Sequence, residues 1–180
     1  TRNEKESELY AELADKHLIK GKNTALSTRA TTNCYYIKGL CEASIRDYED
    51  ALVNFKKAKS VMEAKPRIKS DLQTRYIYTL NFLLNCYIDS YRFDKATEVI
   101  GQLEALENDK AYTSLDAKVR LFTSTNIGAM QLYNRQGNFK DALALVPKIE
   151  VCLAEYEEKV NKEENRTIQE NVKLIKEADG

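Results

Sequence analysis

The chain has 180 residues, 43% hydrophobic and 31% charged, so it can build a core and still carry a charged surface. Lys plus Arg and Asp plus Glu both number 28, and this zero net charge excludes a general electrostatic grip on nucleic acid or an anionic membrane. Scarce Gly (6) and Pro (2), and no uncharged apolar run near a membrane-spanning length, argue against a turn-rich all-β fold and a transmembrane helix, and for long helices.

Residues 3–20 read as a first helix, with Leu9, Leu13, His17 and Lys20 along one line and Gly21-Lys22-Asn23 as its stop. His17 is the only histidine, and no Ser, Cys or carboxylate forms a recognisable catalytic constellation with it. A second helix is expected over 24–45, carrying Leu26, Ala30, Cys34, Tyr35, Ile37, Leu40, Cys41 and Ile45. Gly39 lies inside it. An interior Gly costs about 1 kcal/mol against Ala, which suggests the close approach of a neighbouring helix.

Arg46-Asp47 makes a turn, and the partner helix then sets Tyr48, Ala51, Leu52, Phe55, Ala58, Val61 and Met62 on one helical stripe. Pro66 ends that helix by Lys65. Ser70-Asp71-Leu72-Gln73 has the S-x-x-Q form of a capping box and opens a helix with Leu72, Tyr76, Leu80, Leu83, Leu84 and Tyr87. After a turn at Asp89–Arg92 comes a helix with Phe93, Ala96, Ile100, Leu103 and Leu106. Glu107–Lys110 is a polar break, and Thr113-Ser114-Leu115-Asp116 starts a helix with Leu115, Val119, Phe122, Ile127, Met130 and Tyr133. Gln136-Gly137-Asn138 turns into a last partner helix carrying Phe139, Ala142, Leu143, Val146, Ile149 and Cys152, in which Pro147 predicts a kink. The charge-rich stretch Glu157–Asn165 reads as a solvated helix end and loop. Thr167-Ile168-Gln169-Glu170 is a further capping box ahead of Val172 and Ile175.

No two of Cys34, Cys41, Cys86 and Cys152 have Cys-x-x-Cys spacing, so the ligand clustering of a structural zinc is lacking. Cys34 and Cys41 stand roughly 10 Å apart along a predicted helix, too far for a disulfide. They read as small buried hydrophobes in a reducing compartment. With no phosphate-binding Gly loop, metal-ligand cluster or nucleophile beside a base, neither an enzyme nor a cofactor is expected.

The three partner helices align. Tyr48, Phe93 and Phe139 match, as do Ala51, Ala96 and Ala142; Phe55, Ile100 and Val146; Ala58, Leu103 and Ile149; and Val61, Leu106 and Cys152, at spacings of 45 and 46 residues. Agreement at five positions in three copies is what stacked hairpins require, because each leaves an apolar face for the next. The small Ala lets the two helices of a hairpin approach.

With Tyr35, Gly39, Asp47, Tyr48, Ala51, Phe55 and Ala58 in the first copy, Leu83, Tyr87, Phe93 and Ala96 in the second, and Tyr133, Gly137, Phe139 and Ala142 in the third, the chain resembles the tetratricopeptide repeat family, in its long-repeat bacterial form. The resemblance implies an all-α, right-handed α-solenoid of antiparallel hairpins forming one domain over 1–180. It comprises a partial hairpin at 1–22, repeats at about 24–65, 70–108 and 113–160, and a partial fourth at 165–180. It also implies a non-enzymatic scaffold that holds a peptide or a partner helix in a concave groove. Alternatives are a sensor or regulatory module of a longer protein, and self-association through the terminal hairpin. A start without Met suggests a piece of a longer protein, and the expected location is the cytoplasm, without nucleic acid or membrane as direct partners. Mapped onto this sequence, the family's groove positions are Asn33, Tyr36, Leu40 and Ser44; Tyr78, Asn81, Asn85 and Asp89; and Ser124, Ile127, Gln131, Asn134 and Arg135. Tyr36 and Leu40 stand where the family's carboxylate clamp places a Lys and an Asn, so that clamp is not implied. The amide-rich row suits the backbone of an extended peptide, and Tyr adds flat contact area.

Overall fold

The computed structural model describes Leu9 and residues 25–159, and no strand occurs among them. The helix expected over 3–20 and the features expected from 160 to 180 lie outside the described residues. The elements are α1 (Ala25–Ser44), α2 (Tyr48–Glu63), α3 (Pro66–Asp71), α4 (Gln73–Asp89), α5 (Phe93–Glu107), α6 (Leu115–Arg135) and α7 (Phe139–Ala144). They pack against one another. A last helical stretch, α8, runs over 146–159 after a break at Leu145. The break precedes Pro147, which has no N–H to offer the Leu143 carbonyl and crowds it with its ring, so the expected kink is realised as an interruption.

Three turns, α1 to α2, α4 to α5 and α6 to α7, share one backbone solution. Each has a left-handed residue, Arg46 (φ 65°), Tyr91 (φ 60°) or Gly137 (φ 77°). The following N–H closes onto the carbonyl five residues back: Asp47 to Glu42 at 2.9 Å, Arg92 to Tyr87 at 2.8 Å and Asn138 to Tyr133 at 2.8 Å. This is the Schellman closure, which satisfies carbonyls that a helix end would otherwise orphan. The repeat read from side chains is therefore also a repeat of backbone. A non-Gly residue in this region carries a steric penalty, so Arg46→Gly is expected to stabilise the fold by about 0.5–1 kcal/mol, part of the gain being returned to unfolded-chain entropy. Urea denaturation of the two proteins checks this.

Two predicted helix starts are corrected. Ser70 lies inside α3, which Pro66 opens, and α4 begins only at Gln73, behind Leu72 (φ −115°, ψ 33°) and without a side-chain cap. Proline at the first helical position gives up an N–H that would have had no partner there. At the start of α6 the cap is Ser114, accepting from the Ala117 N–H at 3.2 Å, rather than Thr113. Asp47 caps α2 in the same way, accepting from the Asp50 N–H at 3.3 Å.

α2 packs on α1, α4 on α2, α5 on α4, α6 on both α4 and α5, and α7 on α6; α3 touches α1, α2 and α4. The matched positions make these contacts. Ala51, Ala96 and Ala142 are all buried, as are Ala58, Leu103 and Ile149. Phe55 stacks on Phe82 of α4 with ring centroids at 5.4 Å, and Tyr36 meets both rings edge-on. Gly39 supplies the close approach expected of it: a Cβ there would stand 2.8 Å from the Phe55 ring. At the first matched position the series departs from expectation, since Tyr48 and Phe93 pack on the core but Phe139 is 61% exposed.

One buried polar contact was not anticipated. Asn54 of α2 is buried, and its amide donates to both carboxylate oxygens of Glu42 on α1, at 2.9 and 2.7 Å. Burial raises the Glu42 pKa, and the Asn54 hydrogen bonds oppose that rise. Asn54→Ala is expected to cost about 1–3 kcal/mol at neutral pH, where a desolvated carboxylate loses its donor. A group whose folded pKa is raised stabilises the fold at low pH and loses that contribution as pH rises through the folded value. Without Asn54 the folded value rises further, so the difference between wild type and variant should shrink as pH falls through the carboxylate range. Denaturant titrations at several pH values measure it.

Candidate functional site

The polar row of α4 holds Tyr78, Asn81, Asn85 and Asp89, which helical spacing sets on one side. Gly128 lets α6 come against it: a Cβ there would meet Leu84 Cδ2 at 2.2 Å. With the helices this close, their last turns form a cleft of about 300 Å³ lined by Asn85, Ile88, Asp89, Gln131, Asn134 and Arg135. Arg135 Nη2 donates to Asp89 Oδ1 at 3.1 Å across it. The pair is partly exposed, so it contributes little stability and leaves both groups within reach of a ligand. Five of the expected groove residues are thus brought together.

A second hollow, of about 470 Å³, lies where α1 faces the α3–α4 junction. Asn33 and Tyr78 line it, with residues 70–75. The Asn33 Oδ1 is buried without a hydrogen-bond partner. The Tyr78 hydroxyl accepts from the Arg120 guanidinium, which also lies over the Tyr78 ring and is held by Asp116 at 2.7 Å.

The remaining expected residues fall elsewhere. Tyr36 is corrected: it is buried between Phe55 and Phe82, with the Arg75 guanidinium 4.1 Å from its ring centre, and is a core residue rather than part of the groove wall. Burial raises its hydroxyl pKa, against the pull of Arg75. Leu40 packs on the core. Asn81, Ser124 and Ile127 are half-buried and line neither cavity, and the Ser44 hydroxyl donates to the Cys41 carbonyl at 2.7 Å. Missed from the sequence were Gln73, Arg75 and Arg120. The signal was present in part, since Arg75 stands one helical turn before Tyr78.

Chemically, the cleft offers amide donors and acceptors beside an ion pair, a set suited to paired N–H and C=O groups. Among the described residues no three His, Cys, Asp or Glu side chains are placed to hold a metal, and no helix is long and apolar enough to cross a membrane. No disulfide joins the four cysteines, and burial pushes the Cys86 thiol up to about 12. Compared with protein-family models, curated proteins and solved structures, the chain finds no match.

Proposed function

We propose that the chain is a right-handed solenoid of tetratricopeptide-repeat type, and a non-enzymatic scaffold that holds an extended segment of another protein between α4 and α6. The observation that carries this reading is the cleft of Asn85, Asp89, Gln131, Asn134 and Arg135 at the ends of two adjacent first helices. Support for the architecture comes from the three matching turns and from contacts confined to neighbouring hairpins. An extended peptide presents one donor and one acceptor per residue, and side-chain amides can pair with both. The Asp89–Arg135 pair then reads a charge on the guest.

A library of unstructured peptides displayed on phage supplies a ligand for the test. A selected peptide is expected to lose roughly tenfold or more in affinity when Asn85 and Gln131 are both changed to Ala, about the sum of two hydrogen bonds. The melting temperature should not move, because both side chains line the cleft rather than the core. Unchanged affinity would place the peptide elsewhere and remove the cleft from the proposal.

A further inference from the structure

The polar cleft between α4 and α6 has a neighbour on the far side of Gln131 and Asn134. Those two side chains also wall a hollow of about 300 Å³ between the end of α6 and α7. The rest of its lining is apolar, with Met130 from α6, Phe139, Ala142 and Leu143 from α7, and Val146 just beyond. Phe139 and Leu143, the first and fifth residues of α7, are 61% and 69% exposed. Elsewhere in the repeat these positions are packed or polar: Tyr48 and Phe93 pack on the core, Leu52 is buried, and Thr97 is exposed. Of the three partner helices, only α7 exposes large apolar side chains there. Apolar side chains scattered singly on a surface call for no explanation, but a cluster around a hollow marks a docking surface.

We propose that this hollow takes a large apolar side chain of the same extended segment whose backbone lies in the cleft, so that the guest is a peptide carrying Leu, Met or Phe beside its backbone-paired stretch. The inference rests on the reading of the cleft given above and adds a specificity to it. Gln131 and Asn134 border both hollows, so a chain paired to their amides already stands at the rim of the second. A helical guest has its backbone groups paired internally and has no use for those amides, whereas an extended one does. No charged residue lines the hollow, so a charged side chain would lose its hydration there without a partner. A cavity of about 150 Å³ holds a benzene ring, which leaves room for one large side chain. Neighbouring helix axes lie about 8–10 Å apart, and the two crevices are separated by roughly the same distance. That span is about three residues of extended chain at ~3.3 Å each, which sets the spacing between the paired stretch and the apolar residue. Burying one such side chain is worth roughly tenfold to a hundredfold in affinity.

The phage-displayed peptide library again supplies the probe. Peptides selected on the full chain are expected to share a Leu, Met or Phe at one position. Changing that residue to Ala should weaken a selected peptide roughly tenfold or more, and Leu143→Gln in the protein should cost a similar factor. The two losses should not add, because each removes the same contact. Leu143 is exposed, so the variant should melt with the wild type. The chain contains no Trp, and Phe139→Trp therefore gives a single fluorescent reporter at the mouth of the hollow. Its emission should be that of an exposed indole in the free chain at low micromolar concentration, and should shift to the blue when the peptide is added. Selected peptides without a common apolar residue, losses that add, or emission that the peptide leaves unchanged would each overturn the proposal. If Asn85→Ala with Gln131→Ala weakens binding and Leu143→Gln does not, the cleft stands and the apolar anchor falls. The reverse pattern removes the cleft, and the single guest with it. Blue emission from the free chain would give the hollow another occupant and overturn the proposal too: a second copy where the shift grows with concentration, the chain's own sequence where it does not.

Discussion

Phe55→Ala is expected to destabilise the protein by about 3–5 kcal/mol, enough to leave a domain of ordinary stability largely unfolded in mild denaturant. Phe55 is fully buried at the point where three helices meet. Its ring stacks on Phe82 of α4, meets Tyr36 of α1 edge-on, and fills the space that Gly39 leaves open. Truncation removes the transfer free energy of a benzyl group, two aromatic pairs and the ring that stands nearest to Gly39. Neither Gly39 nor the flat Phe82 ring can swell to refill the gap, so the cavity term is at the upper end of its range. Urea denaturation followed by circular dichroism reads the loss directly. A cost below about 1.5 kcal/mol would mean that α1, α2 and α4 are not locked together at this ring.

The second large effect comes from adding one methyl group. Gly39→Ala is expected to cost about 1–3 kcal/mol, although Ala is the better helix former by about 1 kcal/mol. The new carbon would stand 2.8 to 3.0 Å from three atoms of the Phe55 ring. A buried aromatic ring clamped by two others cannot turn aside, so α1 and α2 must separate. Gly101→Ala serves as the control, because nothing lies within 4 Å of a methyl at that exposed position in the interior of α5. It should stabilise by about 0.5–1 kcal/mol. Opposite signs for the same chemical change at two helical glycines, measured by thermal and urea unfolding, would isolate the hairpin contact. Equal signs would show that backbone propensity outweighs packing at Gly39.

The register of the hairpins was legible in the sequence because it rests on short-range rules. The apolar stripe from Tyr48 to Met62, the turn at Arg46-Asp47 and the punctuation at Gln136-Gly137-Asn138 each depend on residues a few positions apart. Helix ends were less legible where two signals competed. Ser70 and Gln73 form a capping pattern, but Pro66 had already opened a helix that runs through Ser70. Of the adjacent hydroxyls Thr113 and Ser114, only the backbone course decides which one caps. The site was legible as a row and not as a pocket. Asn85 and Asp89 meet Gln131, Asn134 and Arg135 only because Gly128 lets α6 lie against Leu84, a relation that spans 44 residues. Tyr36 was misplaced for a related reason. It was placed by mapping the family's groove positions, but a helix flanked on two sides has apolar neighbours over a wide arc, and the Tyr36 ring packs between Phe55 and Phe82. Asn54 carried no sequence signal, because its partner Glu42 lies on the other helix of the hairpin, twelve residues away.

None of the helices α1 to α7 touches another of them beyond the next hairpin: α1 and α2 reach α4, and α4 reaches α6, but α1 and α2 never meet α6. Among the described residues, therefore, no late segment must be threaded back to an early one. A ribosome adding roughly 5–20 residues per second needs several seconds to make one such unit, while helices and short loops close in microseconds or less. Each unit can settle on its predecessor before the next emerges, so nascent chains of increasing length should acquire protease resistance in instalments rather than all at once.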